Sequence, residues 1–165
     1  MPVTRVIGID PGFGRMGIGV VDIQSGDSVH VWHEVVDTPA GSDFSERLGL
    51  IRDELIKTIE KYKPQIAAVE SLFFQTNVKT AMQVGMARGV ILLVLSDAGL
   101  PVVELNPNQV KQGLTGYGNA DKRQVQEMVK RLLKLDKIPK LDDASDALAI
   151  AMVGGSMYRV SSVHK

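Results

Sequence analysis

Two carboxylates stand at the ends of short apolar runs: Asp10 closes VIGID and Glu70 closes AAVE. A third acidic group lies in LDDASDALAIA, where Asp143 and Asp146 are three residues apart and so share one face of a helix. Asp142, four before Asp146, is their near neighbour. Carboxylates brought to adjacent strand ends repel each other unless something neutralises them. A divalent cation does so through hard oxygen ligands. Acids without His or Cys suit Mg²⁺ or Mn²⁺ and not Zn²⁺. Two such ions about 4 Å apart can activate water and stabilise the leaving oxygen of a phosphodiester. Each acid also has a plainer role: Asp10 and Glu70 as surface strand ends, Asp142 or Asp143 as a helix cap. His30, His33 and His164 show no ligand spacing, and the absence of cysteine excludes disulfides and thiolate chemistry.

The elements that must position these acids can be read from periodicity. Val3 to Ile9, Gly17 to Ile23 and Ser28 to Val36 form three antiparallel strands joined by PGFGRMG and a Ser-Gly turn. Asp43, with Glu46 three residues on, resembles a capping box ahead of a helix through Phe44, Leu48, Ile51, Leu55, Ile59 and Tyr62, ended by Pro64. Ile66 to Val69 is a fourth strand, Asn77 to Asp97 a helix and Val102 to Leu105 a fifth strand. Pro107 opens a short helix holding Lys111, and Gly113 to Gly118 is a glycine-rich loop. Asp121 to Leu135 and Asp142 to Met157 are the last helices. The order is βββαβαβααα. A right-handed crossover after the meander makes strands one and four parallel neighbours, which sets Asp10 beside Glu70. The expected fold is therefore α/β: a five-stranded mixed sheet, three strands antiparallel then two parallel, flanked by helices. Residues 1–160 form a single domain, and 161–165 a short loose C-terminal tail.

The chain has 165 residues, a one-domain length that buries enough surface to need no staples. Its uninterrupted apolar runs, such as Val90 to Leu95, are far below the ~18 residues of a membrane span, and no secretory signal opens it. A cytoplasmic location is expected. The net charge is zero, but unevenly spread. Met1 to Glu46 has two basic and seven acidic residues, a net of −5, whereas Asn106 to Lys140 has eight basic and three acidic, a net of +5. A carboxylate metal site next to a phosphate-gripping pole has this signature. Lys111, Lys122 and Arg123 flank GLTGYG, whose glycines let a backbone approach closely.

Four stretches carry a resemblance: GIDPGFGRMGIGV (8–20), AVESLFFQTNVKTAMQVGMARGV (68–90), NQVKQGLTGYGNADKRQVQEMV (108–129) and DDASDALAIA (142–151). In this order they resemble the RuvC-type Holliday junction resolvases, the crossover junction endodeoxyribonucleases of the ribonuclease H-like superfamily, over nearly the whole chain. The resemblance implies a structure-selective endonuclease that resolves four-way DNA junctions by paired metal-dependent cuts in recombination and repair. It carries the four catalytic, metal-binding acids onto Asp10, Glu70, Asp143 and Asp146, with two Mg²⁺ or Mn²⁺ ions per site. It places a base-contacting aromatic at Phe73, with Phe74 beside it, and DNA-contacting lysines at Lys111 and Lys122. It also implies a branch-migration motor as partner. Asp142 departs from relatives, which often have an uncharged residue there. No function carries over to Arg15, where the family varies.

The segment from Asn77 to Asp97 is apolar or small on all sides, so it must be covered twice. Ala81, Gly85 and Gly89 recur every four residues and form a flat stripe. We expect this stripe to meet its own copy in a two-fold homodimer, which matches the symmetry of a four-way junction. The alternative cover is the third-last helix of the same chain. Rival functions are a ribonuclease H-like enzyme that trims RNA, a phosphate-binding ATPase or sugar kinase, which shares GIDPG but needs a second lobe, and a junction-binding module without catalysis.

Overall fold

The computed structural model describes residues 2–71 and 78–163. The strands are β1 (Thr4–Asp10), β2 (Arg15–Gln24), β3 (Asp27–Asp37), β4 (Ile66–Glu70) and β5 (Val102–Leu105). The helices are α1 (Phe44–Tyr62), α2 (Val78–Asp97), α3 (Pro107–Thr115), α4 (Lys122–Leu132) and α5 (Asp142–Val163). The sheet order is β3-β2-β1-β4-β5, with β1–β2 and β2–β3 antiparallel and β1–β4 and β4–β5 parallel. This is the expected five-stranded mixed sheet.

Alternation along the strands divides the interior into two layers. Ile7 and Ile9 of β1, with Met16, Ile18 and Val20 of β2, pack with Ile51 and Leu55 of α1 and with Ala87, Ile91 and Leu95 of α2. Val6, Val21, Ile23, Ile66 and Ala68 face the other way, into α3, α4 and α5. By the same alternation Asp10 and Glu70 fall on the α5 side.

Helix α5 reaches the sheet because glycines clear its path. A Cβ on Gly8 would overlap the Ala147 carbonyl, one on Gly17 the Asp143 carbonyl, and one on Gly19 would lie 2.7 Å from the Leu148 nitrogen. Gly154 of the helix does the same over Ala68. Side chains at these points would lift the helix off β1 and β2.

Several boundaries differ from expectation. Asp43 occupies the cap position of α1 but its side chain makes no cap bond. The capping boxes are instead Asn106–Gln109 on α3 and Asp121–Gln124 on α4. Gly113 to Thr115 belong to α3, so the glycine loop starts only at Gly116, a left-handed C-cap at φ 80°. Helix α4 stops at Leu132, because Lys134 turns left-handed at φ 52°. Helix α5 runs to Val163, past Met157, so Ser161 to Val163 of the expected tail are helical.

Helix α2 has the length and composition of a membrane span, with a mean hydropathy of 1.2 over Thr80–Asp97. It packs Ala87, Ile91 and Leu95 on the sheet and leaves Met82, Met86 and Leu93 exposed. One face is thus apolar and left uncovered by the described residues.

Candidate active site

The parallel register pairs Ile9 with Val69, so the next residues, Asp10 and Glu70, emerge side by side at the C-terminal edge of the sheet. Ser71 continues the ladder beyond Glu70, its amide donating to the Leu105 carbonyl at 2.7 Å and its hydroxyl to the same oxygen at 3.1 Å. Arg88 of α2 donates to the Glu70 carbonyl at 3.5 Å and forms an ion pair with Glu104, tying α2 to the ends of β4 and β5. The turn after Asp10 is held by Phe13, buried and stacked on Phe44 at 4.7 Å, with Arg47 above the ring. Thr38 fixes the same turn by donating its hydroxyl to the Phe13 carbonyl at 2.6 Å.

The N-terminal turns of α5 bring Asp143 and Asp146 to this edge, with the Asp143 backbone directly across Gly17, which is the β2 partner of Asp10. Their electrostatics show the convergence. Asp10 is pushed up to about 8, first by burial and then by the charges of Glu70, Asp146 and Asp143, with Lys122 offsetting part of the rise. Glu70 is pushed up to about 7, again by burial first and then by Asp146, against the pull of Lys111 and Lys122. Burial also raises Asp146, with Lys122 the main opposing charge. These carboxylates have been gathered with too little positive charge, so the site favours a cation. The donor set is all oxygen, which fits a hard divalent ion. Among the described residues no three acidic or histidine side chains are already closed around a single ion position.

The basic residues divide. Lys122 enters the site, 2.8 Å from Asp142 and 3.8 Å from Asp146. Lys111 lines a cleft of about 270 Å³ together with Glu70, Asp121, Lys122 and Asp146. Arg123, next to Lys122 in sequence, is exposed, does not line this cleft and pairs with Glu127 at 3.3 Å. Phe73 and Phe74 lie outside the described residues. The two larger hollows, about 630 and 540 Å³, are mainly apolar and are lined by none of Asp10, Glu70, Asp143 and Asp146.

Three partners were not anticipated. Arg15 lies 3.6 Å from Asp143. Gln126 donates to Asp142 at 2.8 Å, so Asp142 is held on α4 by two residues, and the Lys122 contact lowers it from the ordinary carboxylate value. The glycines Gly8, Gly17 and Gly19 set the depth at which α5 docks. The last were visible in the sequence as an alternating GxG on one strand and a lone glycine opposite.

Comparison with known proteins places this geometry. The sequence matches the family described as crossover junction endodeoxyribonuclease RuvC over residues 6–154. A protein of that description from Thermosipho melanesiensis is 51% identical over 147 residues, covering 89% of this chain and 94% of the relative. Another, from Roseiflexus sp., is 55% identical over 152 residues, covering 92% and 90%. The solved structure of Thermus thermophilus RuvC in complex with a Holliday junction substrate superposes with a TM-score of 0.91 at 36% identity, covering 96% of both chains. The yeast mitochondrial resolvase Ydc2, 17% identical with a TM-score of 0.65 over 92% of this chain and 79% of that one, shares the fold.

Proposed function

The chain belongs to the crossover junction endodeoxyribonuclease RuvC family, and from that premise we propose that Asp10, Glu70, Asp143 and Asp146 are its catalytic acids. The protein is an endonuclease that resolves Holliday junctions, with the metal dependence of its family. The observation that carries the site assignment is the crowding of Asp10 and Glu70, both raised by burial and by neighbouring acids at one sheet edge.

The four carboxylates would hold two Mg²⁺ or Mn²⁺ ions. When bound, such ions supply an activated water and charge stabilisation at the scissile phosphate. The rest falls to the chain. Asp10 and Glu70, fixed by the β1–β4 register, set the floor of the site, and α5 closes it from above with Asp143 and Asp146. Lys111 and Lys122 line the adjoining cleft and would take the phosphates on either side of the cut. Arg123 adds charge further out. Phe73, with Phe74, would stack on bases at the crossover, as the family resemblance implies.

We further propose a homodimer through α2. Met82, Met86 and Leu93 are exposed beside the Ala81–Gly85–Gly89 stripe, and a Cβ on Gly89 would meet open space. The hollow of about 630 Å³ between α1 and α2 continues this face, with Arg52, Glu60 and Asp97 among its lining residues. A two-fold axis here would give two active sites for two opposed cuts. A branch-migration motor and a cytoplasmic location complete the reading.

The test is incubation of a synthetic four-way junction, a linear duplex and an RNA–DNA hybrid with Mg²⁺ or Mn²⁺. Paired symmetric nicks in the junction alone are expected, and they should vanish in Asp10→Asn and Glu70→Gln while junction binding persists. Cleavage of the hybrid in preference to the junction would favour the RNA-trimming alternative.

A further inference from the structure

His30 and His33 are three apart on β3, and in a regular strand residues so spaced point to opposite faces. The β2–β3 ladder shifts register between Val20 and Val21: Val20 pairs with Trp32, but Val21 pairs with His30. Val31 is the extra residue of a β-bulge, a device that re-aims side chains. The bulge returns both imidazoles to the α5 face, opposite Val21 and Gly19. There His30 Nε2 and His33 Nδ1 share a 2.8 Å hydrogen bond, one ring donating and the other accepting, with ring centroids at 5.0 Å and planes inclined by 57°. Both rings are half-buried. Burial, joined for His30 by the charge of His33, lowers both below the ordinary histidine range, so both are neutral at pH 7 and carry a lone pair.

We infer that His30 Nε2 and His33 Nδ1 form a two-histidine site for a late first-row divalent ion, Ni²⁺ or Cu²⁺, on the free edge strand and separate from the carboxylate centre. Neutral imidazole is the commonest protein ligand for such ions. The separation selects among them. With metal–nitrogen bonds of about 2.1 Å, the 2.8 Å between the two nitrogens subtends about 84° at the metal. That is close to the right angle between adjacent ligands of square-planar and octahedral ions. A tetrahedral ion such as Zn²⁺ needs about 3.4 Å between nitrogens at the same bond length, and the bulge would have to open by about 0.6 Å. Binding leaves the remaining protons on His30 Nδ1 and His33 Nε2. The pair is neutral before and after, so the step is a change of tautomer in one ring without net proton release. Water fills the other ligand positions. The ion would clip the bulge shut where β3 has no outer neighbour.

The test uses the full-length, tag-free, metal-stripped protein titrated with NiCl₂, and with CuCl₂ for electron paramagnetic resonance. One nitrogen-ligated equivalent per chain is expected, over and above ions taken up by the carboxylate centre, with two nitrogens coupled to Cu²⁺. Half-saturation should weaken at least tenfold in His30→Gln and in His33→Gln, and stay unchanged in His164→Gln. At a hundredfold excess over the dissociation constant, Ni²⁺ should raise the wild-type Tm by roughly 5–10 °C more than it raises that of either variant, in which only the carboxylate centre remains. Unaltered affinity in His30→Gln, or a copper spectrum with oxygen ligands only, would overturn the site. If a variant fails to fold, the wild-type nitrogen count decides alone.

Discussion

Replacing Asp10 by Asn should stabilise the metal-free protein while abolishing its cleavage. Asp10 has an ordinary value of 3.8 and stands at about 8 in the fold. Because the folded chain holds this proton more tightly than the unfolded one, stability is fullest below pH 4, falls as pH rises through this range and levels off above 8. Each pH unit between 3.8 and 7 costs the fold about 1.4 kcal/mol, so the penalty at pH 7 is about 4 kcal/mol at most. Relaxation of the side chain and counterions screen much of it, leaving about 1–2 kcal/mol in an environment of intermediate dielectric. For a chain of this length that is a Tm gain of about 3–8 °C. The assay is thermal unfolding of wild type and Asp10→Asn in a chelator at pH 5, 7 and 8.5. The gap should widen with pH, and millimolar Mg²⁺ should raise the wild-type Tm more than that of the variant. A metal-free Asp10→Asn that is less stable than wild type at pH 7 and above would refute the view that the acids are held together against their own repulsion.

Lys122→Ala and Lys111→Ala should each weaken junction binding and lower the salt slope by about one ion, whereas Asp142→Asn should leave cleavage largely intact and tighten metal-free binding about two- to fivefold, since it releases an exposed ion pair worth under ~1 kcal/mol; filter binding across a salt series reads all three. Gly17→Ala should keep the fold at a cost of about 1–3 kcal/mol but lose cleavage, because its Cβ collides with the Asp143 carbonyl; circular dichroism and a nicking assay separate the two effects. Leu93→Asp, with Gly85→Glu as a second variant, should yield monomers that make single nicks only; a wild-type light-scattering mass near that of one 17.9 kDa chain would remove the dimer.

The sheet and the two strand-borne acids were legible in the sequence for a simple reason. VIGID and AAVE are short apolar runs closed by an acid, and a meander followed by a right-handed crossover leaves one place for the fourth strand. The helix ends were harder to place. Asp43 and Glu46 have the spacing of a capping box, but no cap bond forms, whereas Asn106 and Asp121 reach the glutamine three residues on in each case. Lys134 ends α4 by turning left-handed without glycine, which no propensity announces. Nor does anything in SVHVWHEV mark Val31 as an extra residue, so the histidines show no ligand spacing in the sequence, and only the β2–β3 register brings them together.

Glycine and charge in this chain act on the same distance. Gly8, Gly17 and Gly19 give up side-chain packing so that α5 can sit against β1 and β2. That approach carries Asp143 and Asp146 to Asp10 and Glu70, where the price is carboxylates driven toward protonation. A larger residue at Gly17 would relieve the repulsion by moving the helix away, and with it the oxygen ligands. Within the chain, Lys122 reaches from the first turn of α4 to Asp142 and Asp146, Arg15 lies beside Asp143, and Lys111 pulls on Glu70. These cations do not cancel the crowding, since Asp10 and Glu70 still stand at about 8 and about 7. The fold therefore holds the site short of neutrality, and a bound cation is stabilised by the repulsion that it removes.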